Sequence, residues 1–208
     1  MVSTDVAKSR RKTPEERHAE IISAAAHTAL TEGLERVTLR SVAEQLGVRP
    51  GLISHYFPSA DTLVAEAFRQ AVSRERARIL VSDGTPVERI SHLVEQVQSP
   101  TGVEVARLWL NARHLARFRP SLIDPVEQQE AVDRDVLTDL VRDGVREGVF
   151  TVASPYTASV RILMAVDGYG AYVNMGGDFD DPGYRRFVAD VTEWALGLAH
   201  GTLGGPVS

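Results

Sequence analysis

The chain has 208 residues, 43% of them hydrophobic, with no cysteine and a formal net charge of −5. Such a composition supports a packed core and excludes disulfides, thiolate-bound zinc and cysteine nucleophiles. No apolar run reaches the roughly 20 residues of a membrane span and no apolar stretch follows the charged N-terminus, so a soluble cytoplasmic protein with no membrane partner is expected.

Residues 1–12 end in Lys8-Ser9-Arg10-Arg11-Lys12. They read as a flexible basic arm, either a solvated tail or one that reaches phosphates or the minor groove. Thr13-Pro14-Glu15-Glu16 is a strong helix start, with an N-cap threonine, proline at N1 and glutamate closing a capping box. Ile22, Ala25, Ala26, Ala29 and Leu30 give that helix an apolar face, Gly33 ends it, and Leu34 folds back on its last turn.

Thr38 to Phe57 then reads as two short helices joined by a tight turn. Thr38 caps the first, Val42, Ala43 and Leu46 share a face, and Gly47 supplies the positive φ that stops it. Pro50 opens the second, Ile53 and Phe57 share its inner face, and Pro58 ends it. This is the spacing of a helix-turn-helix, whose second helix enters the DNA major groove. Arg40 lies in a helix's first turn, where the dipole disfavours a cation, and Arg49 holds an N-cap position although it has no acceptor. An external polyanion reconciles both, and exposed His55 and Tyr56 suit the same surface. The net charge fits only through its distribution. Residues 1–60 carry eight Lys/Arg against seven Asp/Glu, a balance of +1 that leaves −6 on the remainder.

After Pro58, Ser59 caps a long helix whose face is Leu63, Val64, Ala67, Phe68, Ala71 and Val72, with Arg74, Arg76 and Arg78 read as solvated near its end. Thr85-Pro86-Val87-Glu88 opens the next helix, and Ser99-Pro100 breaks it. Thr101 and Glu104 cap a helix carrying Val105, Leu108, Trp109, Ala112 and Leu115. A helix from about Ser121 to Gly148 has a polar middle at Glu127–Glu130, read as exposed or bent, and Asp133 and Asp135 are read as a solvated face. Ser154-Pro155 opens a helix over about 155–174, and Asp181-Pro182 opens the last, over about 182–200. Residues 201–208 are expected to be a flexible tail. With no alternating strand pattern and about nine helices, the fold class is all-α.

The stretch Thr38–Ser59, preceded by a helix ending in Gly33, resembles the TetR family of bacterial transcriptional repressors. Its His55-Tyr56-Phe57 ending and the C-terminal half look closest to the choline-responsive branch. The resemblance implies a three-helix helix-turn-helix domain at 13–58 and a larger helical ligand-binding and dimerisation domain at 59–200. It implies a homodimer, built through about 155–174 and 182–200, that sets one recognition helix in each half-site of a palindromic double-stranded DNA operator. Gly168, Gly170 and Ala171 are read as small residues allowing close contact between helices there. Carried over by position, Thr38 caps and touches phosphate, Arg40 reaches base edges or phosphate, and Arg49, Pro50 and Gly51 form the recognition-helix start. Ser54 replaces a common tyrosine, His55 faces bases or the backbone edge, and Tyr56 bonds phosphate. The usual lysine after the turn is Ala60 here, which shifts phosphate clamping onto Arg40, Arg49 and the arm.

The resemblance further implies a pocket for a small-molecule effector within about 85–174. Trp109, Arg113 and His114 on one helix and Asp167, Tyr169, Tyr172 and Asn174 on another are its candidate residues. Aromatic rings with a carboxylate suit a cation. No cofactor, metal set or catalytic set is expected, since no metalloprotease, nucleophile-elbow, dinucleotide or P-loop pattern is present. The alternatives are a helical dimeric adaptor whose helix-turn-helix binds protein, and an all-α enzyme without a motif. Steep salt dependence of DNA binding separates the first from a regulator, and activity that survives deletion of residues 1–60 would mark the second.

Overall fold

The computed structural model describes residues 12–176 and 181–204, and these are helical throughout, without a strand. Ten α-helices follow in order: α1 Pro14–Thr31, α2 Leu39–Leu46, α3 Pro50–Tyr56, α4 Ala60–Ile79, α5 Pro86–Gln98, α6 Pro100–Ala116, α7 Ile123–Arg146, α8 Pro155–Val173, α9 Pro182–Arg185 and α10 Phe187–Leu196. The helix starts lie where the capping chemistry predicts. Glu16 N–H donates to Thr13 Oγ1 at 3.2 Å while Thr13 N–H donates to Glu16 Oε2 at 2.8 Å. Thr85 and Glu88 repeat the exchange. Single hydroxyls of Ser59 and Ser154 cap α4 and α8.

Two apolar cores stack along the molecule. In the first, Ile21, Leu34, Val42, Ile53 and Phe57 pack with Leu63, Val64 and Phe68 of α4, Leu108 and Trp109 of α6, and Leu122 and Val126. The second joins Ile90 and Leu93 of α5, Leu137 and Leu140 of α7, Ile162 of α8, and Val188 and Leu196. The junction at 58/59 therefore has no gap in packing: α4 and α6 belong to the core of the helix-turn-helix. Polar bonds reinforce this seam. Leu34 N–H donates to Asn111 Oδ1 at 2.8 Å, and Arg107 reaches the Leu30 and Thr31 carbonyls that end α1.

Several boundaries differ from expectation. Helix α6 starts at Pro100 because the Ser99 hydroxyl accepts Gly102 N–H at 3.1 Å, so Thr101 is not its cap. Helix α7 runs unbroken through its polar middle. The single helix expected over 182–200 is two, interrupted at Arg186, whose guanidinium is committed to Asp190 and Glu193, and α10 stops at Leu196 before a left-handed Gly197. The expected tail is not loose at its start: Leu203 is fully buried, and the buried Glu193 carboxylate accepts Gly201 N–H at 2.9 Å and Leu203 N–H at 2.6 Å. His200 and Asp190 also lie beside Glu193, but Arg186 and these amides already occupy the carboxylates, so the group works as a latch on the C-terminal turn. The remainder of the tail, 205–208, and the basic arm before Lys12 lie outside the described residues. No described helix is long and apolar enough to cross a membrane.

Candidate nucleic-acid interface and effector cavity

Thr38 builds the entry to α2. Its Oγ1 accepts Ser41 N–H at 2.9 Å, and Ser41 Oγ accepts Thr38 N–H at 2.9 Å. Gly47 then takes φ 64°, ψ 32°, the left-handed turn that lets α3 cross α2, and Val42, Ala43, Ile53 and Phe57 bury the inner sides of both helices. What remains outward is the predicted set: Thr38, Arg40, Arg49, Pro50, Gly51, Ser54 and His55 are all exposed. Tyr56 departs from expectation. It is half-buried against the first core, 5.4 Å from the His55 ring and 6.3 Å from that of His18, so only part of it faces outward.

The electrostatics of this face are uneven. Arg40 donates through Nε to Glu44 Oε1 at 2.7 Å, a pair one turn apart on the same helix that lies in full solvent and holds the guanidinium in its charged form. Such a pair is weak and yields to a better anion. Arg49 caps nothing with its side chain and, among the described residues, has no ion-pair partner. At Gly51 an added Cβ would meet no protein atom within 4 Å, so nothing inside the chain calls for glycine there. Ser54 turns its hydroxyl back to Pro50 O at 3.2 Å.

Above this unit, α4 to α8 enclose a cavity of about 420 Å³. Its walls are largely apolar, with Val72, Ile79, Leu93, Val105, Leu137 and Leu163 among them. One end is ionic. Arg113 donates to Glu130 Oε1 at 2.7 Å and pairs with Asp167 Oδ2 at 2.9 Å, its guanidinium lying 5.1 Å from the Trp109 ring centre. Burial works against that charge, but the two carboxylates outweigh it and hold Arg113 protonated. Beside it Arg76 pairs with Asp133 and donates to Gln129 Oε1 at 2.7 Å. Burial raises the Asp133 carboxyl above its ordinary range, and Arg76 opposes the shift.

Of the seven residues expected to line a pocket, Trp109, Arg113 and Asp167 do. His114 is exposed beside Phe118, Tyr169 packs on the second core, Tyr172 is exposed near Tyr184, and Asn174 ties α8 to the Val103 carbonyl of α6 at 3.2 Å. The expected aromatic cage for a cation therefore does not form. Trp109 is the one aromatic residue in the lining among the described residues, its face carries Arg113, and the Phe68 ring meets it edge-on at 5.2 Å. Arg76, Glu130, Asp133 and Arg134 line the cavity although the sequence suggested solvated positions for Arg76, Glu130 and Asp133. For Glu130, Asp133 and Arg134 the signal was the polar interruption of α7; Arg76 of α4 and Arg113 of α6 are the partners of the two acids.

A third surface runs along the outer side of α8 and meets the cavity rim at Met164. Thr157, Arg161, Met164, Tyr172 and Met175 are exposed at spacings of three, four or eight residues, so they share a face. Arg161 lies over the Trp194 ring at 4.7 Å and Tyr172 stands 6.2 Å from Tyr184, which joins this face to α9 and α10. Met164 is 69% and Trp194 65% exposed, large values for apolar side chains in a contiguous patch. Gly170 does not belong to it. A Cβ there would stand 2.6 Å from that of Ala106, so its smallness serves the packing of α8 on α6 within the chain.

A family model described as "Bacterial regulatory proteins, tetR family" matches residues 21–67, which span most of α1 through the start of α4. Among curated proteins the chain is similar to the HTH-type transcriptional regulator BetI of Paraburkholderia phytofirmans, 39% identical over 116 residues covering 50% of this chain and 58% of that protein. It is likewise similar to BetI 1 of Chromohalobacter salexigens, 32% identical over 115 residues covering 51% of this chain and 55% of that one. The matches thus span little more than half the length of these relatives. Among solved structures, a transcriptional regulator from Saccharomonospora viridis in complex with choline has a TM-score of 0.72 at 23% identity, covering 86% of this chain and 96% of that one. A TetR-family regulator from a Rhodococcus species gives 0.72 at 22% identity, covering 88% and 99%. Both establish the fold across the second half of the molecule as well. The helix-turn-helix of residues 21–67 is thus similar to that of the tetR family of bacterial regulatory proteins, and the helical body behind it has the architecture of the two solved regulators.

Proposed function

We propose that this protein is a ligand-responsive transcriptional repressor, dimeric on a palindromic operator and released by a small-molecule effector. The observation that carries the reading is the outward set around Arg49: a cation at a helix start with no ion-pair partner among the described residues, beside a glycine that no described contact requires. Phosphate and base edges supply the missing partners. Arg40 exchanges Glu44 for the same polyanion, and Thr38, Pro50, Ser54, His55 and Tyr56 complete the contact surface. The test is operator selection with the purified chain, then binding across a range of salt. Arg49→Ala is expected to reduce the slope of log affinity against log salt by about one unit, and Arg40→Ala to do the same. Affinity for duplex of every sequence that does not change with salt would refute the reading in favour of an adaptor.

The apolar face of α8, α9 and α10 is the surface on which a second copy docks. A single half-site binds weakly, so a dimer also supplies the affinity that one recognition helix lacks. Trp194→Glu places a charge at the centre of that face. Loss of an aromatic anchor costs about 2 kcal/mol or more, so the dimer is expected to dissociate at least roughly thirty-fold more readily in sedimentation. Operator affinity should fall with it. A dimer unchanged by Trp194→Glu would move the interface elsewhere.

Two helices connect cavity to interface. Helix α4 carries Arg76 into the cavity and is separated from the end of α3 by only three residues. Helix α6 lines the cavity with Trp109 and Arg113 and, through Asn111 and Arg107, holds the end of α1. Any effector that re-seats either helix changes the separation of the two recognition helices and biases the protein away from the operator.

A further inference from the structure

The ionic end of the cavity is not symmetric in what it leaves unused. Each of its three carboxylates already has an arginine: Glu130 and Asp167 hold Arg113, and Asp133 holds Arg76. The third lining arginine is different. Arg134 has no carboxylate within hydrogen-bond distance, its nearest being the exposed Asp135 at 4.0 Å, and its buried Nε has no hydrogen-bond partner among the described residues. Its guanidinium rests 5.8 Å from the centre of the Tyr156 ring, a contact that leaves its N–H groups without acceptors. A cationic ligand entering here finds every carboxylate already bonded to an arginine, although Glu130 and Asp167 share one, and finds the Trp109 face covered by Arg113. An anionic one finds the terminal N–H groups of Arg134, which no described residue accepts, beside an apolar chamber, while the buried Nε lies behind them.

We infer that the effector is an apolar molecule ending in a carboxylate, its body against Val72, Leu93, Val105 and Leu163 and its anionic head on Arg134. This rests on the reading of the cavity as the effector site. The bland account of the same observation is a surface arginine lying on a tyrosine, and the experiment separates the two. Among the described residues the Arg134 side chain makes no hydrogen bond and only rests on the exposed Tyr156, so its replacement is expected to leave a folded protein.

The probes are straight-chain alkanoates from butanoate to dodecanoate, the matching 1-alcohols and the matching alkyltrimethylammonium ions. They are titrated calorimetrically into the full chain and into Arg134→Gln, Arg134→Lys and Leu110→Trp, the last narrowing the cavity at its exposed edge. The expected result is carboxylate over alcohol over cation at equal length. Arg134→Gln should weaken the carboxylate about ten- to a hundredfold and leave the alcohol unchanged, Arg134→Lys should recover part of the loss, and Leu110→Trp should weaken all three. Cations that bind as well as carboxylates, with Leu110→Trp still weakening both, would overturn the inference and leave the cavity as effector site. An Arg134→Gln variant that alters only the dimer equilibrium would overturn it too, placing Arg134 opposite a second copy. If no probe binds, or Leu110→Trp changes nothing, the cavity reading falls and the inference with it.

Discussion

Phe57→Ala is expected to destabilise the protein by roughly 3–5 kcal/mol and to abolish operator binding. Phe57 is fully buried at the joint between α3 and α4, and the His18 ring stacks on it at 5.0 Å with 17° between planes. Its N–H closes the last turn of α3 on Ile53 O at 2.9 Å. The side chain therefore sets the angle at which α3, the proposed recognition helix, leaves the body, and a cavity there lets that angle drift. Native domains hold only about 5–15 kcal/mol in reserve, so the loss is a large share of the total. Urea denaturation gives the stability term and operator titration at fixed salt gives the binding term. His55→Ala on the same helix is the control: it is exposed, so stability should stay within about 0.5 kcal/mol while operator affinity falls. A Phe57→Ala protein as stable and as tightly bound as the parent would show that α3 is not positioned through this ring.

The parts of the molecule governed by local rules were legible in the sequence. Thr13 with Glu16, Thr85 with Glu88, and Gly47 between α2 and α3 each act within a few residues, and each stands where pattern places it. The outward set around Arg49 was legible for the same reason, because the inner face of a short helix fixes its outer one. The cavity was not. Asp167 faces it while Tyr169, two residues on, is rotated by about 200° and packs on the second core. Asn174 returns to the angle of Asp167 but lies beyond the end of α8, bonded to Val103 O. Composition near a helix does not set its rotation. The polar run of α7 shows the complementary failure: Asp133 has the look of a solvated acid until Arg76, 57 residues earlier in the chain, is brought against it. A sequence displays charges without their partners, and partnership decides whether a polar run faces water or a cavity.

That partnership yields the second large effect. The Arg76 and Asp133 side chains are 13% and 21% exposed, so the pair is mostly out of water. Arg76→Ala strands the carboxylate and is expected to cost roughly 2–4 kcal/mol at neutral pH, somewhat less than for a pair in full burial. The loss depends on pH with a definite sign. Burial raises the folded-state pKa of Asp133 above its ordinary 3.8, and Arg76 holds that rise in check. Without Arg76 the folded value climbs further while the unfolded value stays put. A raised carboxyl contributes stability that is fully present below its unfolded pKa and is lost as pH rises through the folded one. The gap between parent and Arg76→Ala should therefore be small in acid, open as pH rises past the ordinary carboxylate range, and be widest near neutrality. Denaturation midpoints of both proteins across that range measure it. Arg76→Met with Asp133→Leu removes both charges together and should recover most of the stability, since two matched apolar side chains leave nothing unpaired. It should not recover the response to effector, because α4 and α7 then meet through a contact with no polar register. A double variant that is stable and binds operator yet no longer releases it would separate the pair's place in the fold from its place in signalling. One that is released as readily as the parent would move the coupling onto α6 and its Asn111 bond.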